Sequence, residues 1–454
     1  MARILLCFSS HLFIDNHFRL VCYYEGLIKE LIENGNDVMV YNGAEFLMKS
    51  WNSENIESSY IDKNELKDRI FEFNPNLVIS FNNVKPSFLD SLVECPIVIW
   101  EADSFTYFND KDGIKYNPNR YSYFCLSSNT REQLISTGVA DSNIYMINSG
   151  TAVQAKKLDY EYNISFIGSN FRGPSGLKSL LLSDDSDKVR SAIKKIANDF
   201  YLDSESYLIG QGLESILEYI KPSEFGMIKS AQNRILTLNL MEDLGLSLFG
   251  GKDWLDVSDF TPYLALSYKR KDVYSLAHNQ GIYNKSKVCL SISHAQAIDG
   301  FPWRIMDIMA SNGCLLSSYN PGLVNFTKGY VDIPMYKSPA EAYNLAKKLI
   351  ADVEYRNDII VGSQKCIEDK GRWSHRFLEI ESAIGIDLIN VGSGSLNILS
   401  REDFLSRGTV IFNQSIMLLA SAVPRRFWSS IYKMMMLIGV NVDYHMIKNM
   451  MEKK

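Results

Sequence analysis

The feature that most constrains this chain is the stretch Ser291-Ile-Ser-His-Ala-Gln-Ala-Ile-Asp-Gly-Phe-Pro-Trp-Arg-Ile-Met-Asp-Ile-Met-Ala-Ser-Asn-Gly313. It grows out of Val288-Cys-Leu-Ser-Ile292, a short apolar run that reads as a buried strand. It continues into the helical spacing of Phe301, Ile305, Ile308 and Met309, which stops at Asn312-Gly313. A strand, a polar turn and a helix led by Pro302 bring free backbone N–H groups and the positive end of a helix dipole to one point, which suits a phosphate.

The same alternation starts at the N-terminus. Residues 3–8 read as a strand, Phe18 to Ile32 as a helix stopped by Asn34-Gly35, and Asp37-Val-Met-Val-Tyr41 as a second strand, the opening βαβ of a doubly wound domain. Leu77-Val-Ile-Ser80 and Ile97-Val-Ile-Trp100 follow, then Tyr123-Phe-Cys-Leu126 and Ile144-Tyr-Met-Ile147. Carboxyl ends of parallel strands face the ligand crevice, so His11, Asn16, His17, Asn82, Asn83, Glu101 and Asp103 are expected on one cleft wall.

Asn148-Ser-Gly-Thr151 is a plausible hinge, and a second α/β unit restarts with Asn163-Ile-Ser-Phe-Ile-Gly168. The turn after it, Ser169-Asn170-Phe171-Arg172-Gly173, is either a phosphate-approaching loop or a plain connector. Residues 175–240 carry a helical pattern too long for a simple crossover and read as an insertion. Leu246-Ser-Leu-Phe249 resumes the sheet, Leu264-Ala-Leu-Ser267 reads as another strand, and Leu315-Leu-Ser-Ser318 follows the central stretch. Lys269-Arg270-Lys271 is a basic loop for an anion or a solvated turn. Ser338 is placed as the cap of a helix, and the chain stays helical to about Asp387. The expected domains are 1–150, 151–390 and a tail, 391–454. From Asn397 to Lys454 there are eight Lys or Arg against four Asp or Glu and seven of sixteen methionines, the composition of basic amphipathic helices. Such a tail suits an anionic membrane surface, an oligomer interface or a bundle folded on the body.

The 454 residues allow two or three domains, and 46% apolar with 22% charged residues is a globular composition. A net charge of −6 gives no reason to expect nucleic acid. The seven cysteines are scattered without a C-x-x-C pair, as reduced core residues of a cytosolic protein are, and no metal-ligand spacing stands out. The apolar run at the N-terminus is too short for a signal peptide, and none approaches the ~18 residues that span a bilayer. The expectation is a cytoplasmic protein, at most attached to the inner face of the cytoplasmic membrane.

Asp299-Gly-Phe-Pro-Trp-Arg-Ile-Met-Asp307-Ile-Met-Ala-Ser-Asn-Gly313 resembles the Glu-x7-Glu pattern of nucleotide-sugar transferases of the GT-B type, with Asp in both acidic places. That resemblance implies two Rossmann-like domains facing a cleft, here with a helical insertion and a helical C-terminal tail. It implies Asp307 on the ribose and Asp299 facing the transferred sugar; the plainer alternative is one Asp capping the helix and one on its wet face. Terminal helices of such proteins often cross back to the first domain.

More narrowly, residues 1–390 resemble the bacterial retaining β-Kdo transferase modules of O-antigen synthases (glycosyltransferase family 99). The blocks that carry this are Ser9-Ser-His-Leu-Phe-Ile-Asp-Asn-His-Phe-Arg19, Trp100-Glu-Ala-Asp-Ser-Phe105 with Asn109-Asp-Lys-Asp112, Ser149-Gly-Thr-Ala-Val153, Asn163–Gly168, and Ser291–Gln296 with Gly300-Phe-Pro-Trp-Arg304. The resemblance implies CMP-β-Kdo as donor, a saccharide acceptor that is lipid-linked, no cofactor or metal, and an aspartate nucleophile forming a covalent glycosyl-enzyme adduct. Candidate nucleophiles are Asp243, favoured, then Asp253 and Asp103. The resemblance makes 1–150 the acceptor-side domain, with His11, Asn16, His17, Asn82 and Glu101 on the acceptor, and 151–390 the CMP-sugar-binding domain, with Gly168, Ser169, Asn170, Ser293 and Gln296 on the donor side. Arg304 would grip a phosphate or the Kdo carboxylate, and His294 would hold or protonate the departing phosphate, its alternative being a buried structural histidine. The competing readings are a GT-B hexosyltransferase using a UDP- or GDP-sugar, and a catalytically silent glycan-binding or scaffold module.

Overall fold

The computed structural model describes residues 1–10, 12–14, 17–46, 59–171, 176–184, 186–271, 273–296, 298–410, 424 and 427–442. The chain opens with β1 (Arg3–Phe8), a short hairpin of β2 (Phe13–Ile14) and β3 (His17–Phe18), then β4 (Asp37–Asn42), β5 (Leu77–Phe81), β6 (Ile97–Trp100), β7 (Ser122–Cys125) and β8 (Ile144–Met146). The second half holds β9 (Tyr162–Ile167), β10 (Leu246–Phe249), β11 (Ser286–Ser291), β12 (Cys314–Ser318) and β13 (Met335–Tyr336), and β14 (Leu396–Ile398) comes after it. Two parallel sheets result, one in the order β14-β4-β1-β5-β6-β7-β8 and one in the order β10-β9-β11-β12-β13. Their central strands are buried on both faces, which is why they read as near-continuous apolar runs. These are two α/β halves, each built on its own parallel sheet with helices packed on its faces.

Three expectations need correction. The first helix covers Cys22–Glu33 rather than starting at Phe18, because Phe18 and His17 pair back onto Phe13 and Ile14. Leu264-Ala-Leu-Ser267 lies in a helix, Pro262–Ser267, with Pro262 preset at its first turn. The strand-like bridge in that region falls one residue later, Tyr268 against Leu248. The boundary drawn at 391 runs through chain bound to the first sheet: β14 pairs with β4, the Ser395 N–H donates to the Asp37 carboxylate, and Leu399 and Phe404 are buried in that half's core. Part of the expected basic tail, including 411–423 and 443–454, lies outside the described residues; within them are a helix, Trp428–Leu437, and the parallel pair β15 (Thr409–Val410) and β16 (Asn441–Val442). Among the described residues no helix is long and apolar enough to cross a membrane.

Between β9 and β10 the helices Leu177–Ser183, Asp187–Asn198, Ser204–Gly210 and Pro222–Asn239 form the expected insertion. It has its own core of Leu180, Val189, Ile196, Leu208, Ile220 and Phe225, so it is a packed subdomain rather than a loop. Ser186 and Asp203 cap two of its helices by accepting backbone N–H groups.

One side chain crosses between the halves into a buried aromatic cluster. Trp303, 6% exposed, leaves the second half and enters an aromatic cluster of the first: its ring centroid lies 5.2 Å from Tyr23, 5.4 Å from Phe81, 6.1 Å from Trp100 and 5.8 Å from Trp373. Trp373 opens the helix Trp373–Ile384, which packs Phe377 and Ile380 against the same half. Replacing Trp303 by Ala is expected to destabilise the protein by about 3–5 kcal/mol in urea unfolding, the range for emptying a buried Trp site, with Trp303→Phe much milder.

Candidate functional site

A groove runs along the carboxyl ends of both sheets and divides into three connected compartments of about 580, 570 and 720 Å³. In the second sheet the order of strand addition reverses between β9 and β11, and the crevice beyond their carboxyl ends is where such sheets bind ligands.

The first compartment has Ser9, Ser10 and Tyr23 on one wall and Gly168, Ser169, Gly250, Tyr274 and Asn279 on the other. Gly250 is the one glycine here whose geometry is obligatory. Its φ is +134°, and an added Cβ would lie 2.4 Å from the Gly168 carbonyl oxygen. The turn after β9 is held by Asp253, whose carboxylate accepts the Asn170 N–H at 3.0 Å while its carbonyl accepts from the Asn170 amide at 2.7 Å. Burial raises the Asp253 pKa. Asp253 therefore anchors the loop that carries Gly168 and Ser169.

Arg304 and Asp103 line both the first and the second compartment. Arg304 donates to the Ile167 carbonyl at 2.7 Å. Beside it lies Arg234, 2% exposed, on the last long helix of the insertion. It donates to the Ser169 and Ile292 carbonyls at 2.6 and 2.9 Å and stacks 3.9 Å from the Phe171 ring. Burial, and then the neighbouring charge of Arg304, pull its pKa down. Among the described residues neither guanidinium has a carboxylate within ion-pair distance. Two adjacent cations so placed favour an anion, and side chains rather than a helix end supply the charge. The helix after Pro302 is only Arg304–Met309, and the Ile305 and Met306 N–H groups already bond to Pro302 and Trp303.

Asp103 comes from the first half. Asn82, at φ +50°, turns its amide to donate to one Asp103 oxygen at 3.4 Å, and Gln296 of the second half donates to the other at 2.9 Å. The Gln296 carbonyl oxygen accepts from Ser104 at 3.1 Å, so one amide ties the halves and aims the carboxylate. Burial raises the Asp103 pKa, and these two donors oppose it.

His294 is not a cationic phosphate ligand. Burial and Arg234 hold its pKa down at about 4, its Nδ1 accepts the Gln296 N–H at 3.1 Å, and its Nε2 sits 3.2 Å from the Met227 sulfur. It is a neutral wall of the second and third compartments. Ser293 is buried, with its N–H on Ser318.

The other expected residues divide sharply. Glu101 reaches the groove but spends its oxygens on the Leu126 and Ser127 N–H groups and the Ser127 and Thr130 hydroxyls, while burial lifts its pKa to about 7. Asp299 faces the first half instead of a sugar, accepting the Ser128 N–H at 3.0 and 3.3 Å. Asp307 is 4% exposed, accepts from Thr151 at 2.6 Å and faces the Cys22 thiol at 3.8 Å, which leaves no open side for a ribose. Asp243 is on the surface at the entering end of β10, hydrogen-bonded to Tyr343 at 2.7 Å, so the structure removes it from the cleft. His17 is exposed in the short hairpin and lines no compartment, and Lys269, Arg270 and Lys271 are likewise exposed outside the groove. His11 and Asn16 lie outside the described residues. Arg234 was not singled out from the sequence. Its signal was an arginine in register with Ser230 and Thr237 on the buried face of a helix, where a cation needs a reason.

Residues 233–382, from the end of the insertion through β10–β13 to the helix ending at Ile384, match a protein-family model described as "Glycosyl transferase-like". Comparison with curated proteins gave no match. Among solved structures, Anabaena HepE in complex with UDP and glucose is similar over 85% of this chain and 100% of its own, at 10% identity and TM-score 0.44. The lipopolysaccharide outer core galactosyltransferase WaaB, in its apo form, is similar over 84% and 99% (15% identity, TM-score 0.38). Sucrose-phosphate synthase from Thermosynechococcus elongatus is similar over 84% and 98% (12% identity, TM-score 0.42).

Asp307 carries a stability signature. Burial lifts its pKa from 3.8 to about 6 against the opposing Thr151 and Cys22 hydrogen bonds. A raised acid binds its proton more tightly folded than unfolded, so its contribution is fully present below pH 3.8 and is lost as pH rises through about 6. Asp307→Asn should gain on the wild type by up to about 3 kcal/mol across that window and then level off, as read by urea unfolding at a series of pH values.

Proposed function

We propose that the protein is a retaining glycosyltransferase that moves Kdo from CMP-β-Kdo to a saccharide hydroxyl in bacterial surface-polysaccharide synthesis. The observation that carries this reading is the placing of the Asp103 carboxylate and Arg304 where the first and second compartments of the groove meet, with Arg234 beside Arg304 in the second. The sequence blocks resembling retaining β-Kdo transferases bring most of these groups to that place.

In this reading CMP occupies the first compartment, between Ser9-Ser10 and the Gly168 and Gly250 turns. The guanidiniums neutralise its phosphate and the Kdo carboxylate, which makes the phosphate a better leaving group without calling on a metal ion. An oxygen of ionised Asp103 attacks the anomeric carbon, and the carbon–oxygen bond to phosphate breaks with its electron pair passing to CMP. The acceptor hydroxyl then attacks the same carbon from the vacated face, releases Asp103 and gives its proton to solvent. Two inversions leave the configuration retained. Asn82 and Gln296 keep the carboxylate aimed and favour its charged form. A lipid-linked acceptor would bring the protein to the inner membrane surface, and the exposed Met434 and Leu437 of the last described helix, with Ile438 just beyond its end, give that contact an apolar face.

Thermal shift with CMP, UDP and GDP tests the donor: CMP should stabilise most, and Arg304→Ala should abolish the effect. Stabilisation by UDP alone removes Kdo from the proposal. With CMP-Kdo generated in situ, intact mass should show one added Kdo on the wild type and on Asp243→Asn but none on Asp103→Asn, whose turnover should fall by at least about 10³-fold. An adduct that survives Asp103→Asn and disappears in Asp253→Asn would move the nucleophile to the loop after β10.

A further inference from the structure

The largest compartment of the groove is not used by the donor as placed above. Its outer wall is the helical insertion, through Phe200–Glu205 and the face of the Pro222–Asn239 helix that carries Ser223, Gly226 and Lys229. Opposite stand Thr106, Tyr107 and Asn129 of the first half, and the far end is closed by Tyr319 and Lys337. It opens into the second compartment through Ser104, Tyr107, Ser223, His294 and Gln296, which line both. A ligand whose reactive end lies near Asp103 has this as a continuation of its path.

The chemistry of the walls is that of a saccharide site. Tyr201 and Tyr319 are 54% and 38% exposed, both line the compartment, and the Lys337 ammonium lies 4.2 Å from the Tyr319 ring centroid. Part-exposed tyrosines flanked by hydroxyl, amide, carboxylate and ammonium groups match the alternation of C–H faces and hydroxyl edges on a sugar ring. The wall is also built rather than incidental. Lys229, 7% exposed, crosses the insertion to donate to the Leu202 carbonyl at 2.5 Å and so fixes the Phe200–Asp203 segment that presents Tyr201. At about 720 Å³ the compartment exceeds what a single small substituent needs and lies in the usual range for ligand sites.

We propose that the insertion is the acceptor-binding subdomain, and that the acceptor glycan beyond its reacting sugar lies in this compartment, stacked on Tyr201 and Tyr319. This rests on the transferase reading for what the groove does, and it moves acceptor recognition from the first-half residues to a subdomain of the second half. The test uses the full chain on an array of bacterial surface oligosaccharides at saturating CMP, with affinities of the bound glycans then measured by calorimetry. Wild type and Tyr201→Phe should bind alike, whereas Tyr201→Ala and Tyr319→Ala should each lose about tenfold or more in affinity. The CMP thermal shift and the ligand-free unfolding midpoint should stay unchanged in all of them. Equal affinity in the alanine variants, or no glycan bound while the CMP shift persists, overturns the acceptor site and leaves the donor reading standing. Tyrosine-dependent glycan binding with no shift from any nucleotide supports the site and overturns the transferase reading.

Discussion

Everything in the groove depends on a seam in which one half of the molecule places an indole inside the other. Trp303 lies among Tyr23, Tyr24, Phe81, Trp100 and Trp373, mostly in edge-on contacts that add to the area they bury. Its chain neighbours lock the same seam: Asp299 on Ser128, Asp307 on Thr151, and Gly300 close against the Leu126 carbonyl, where an added Cβ would sit at 2.6 Å. Because Pro302 and Arg304 flank that indole and line the groove, the contact that sets the spacing of the halves also sets the position of the guanidinium.

Against that rigid frame the electrostatics are unbalanced. A buried arginine normally finds a carboxylate or is replaced by something apolar, since an unpaired buried charge is expensive. Arg234 instead satisfies two backbone carbonyls, lies on Phe171 and sits beside a second arginine. Such arrangements persist where an anionic ligand completes them.

The sequence made the sheets legible because buried parallel strands are apolar without interruption. It misled where that signal is short or absent. Leu264–Ser267 is apolar enough for either element, and Pro262 decides for helix. Leu396–Ile398 is an edge strand exposed along its length, so nothing in its pattern separates it from a tail. At the site, the spacing of Asp299 and Asp307 was readable and their strand–turn–helix setting was right. What the other half would press against them, the Ser128 N–H and the Thr151 hydroxyl, is information no local pattern holds. Asp103 and Gln296 were each legible in the sequence, but their meeting across 193 residues was not.

The edge strand β14 has a consequence for how the molecule is made. It joins β4 from more than 350 residues further along, after the whole second half has been synthesised. Until then the nascent first sheet keeps an open, parallel-pairing border on β4, the kind of border that recruits strands from other chains. The order of emergence from the ribosome thus leaves the first sheet unfinished until the second half has been made, and its protection against self-association arrives only with Leu396–Ile398.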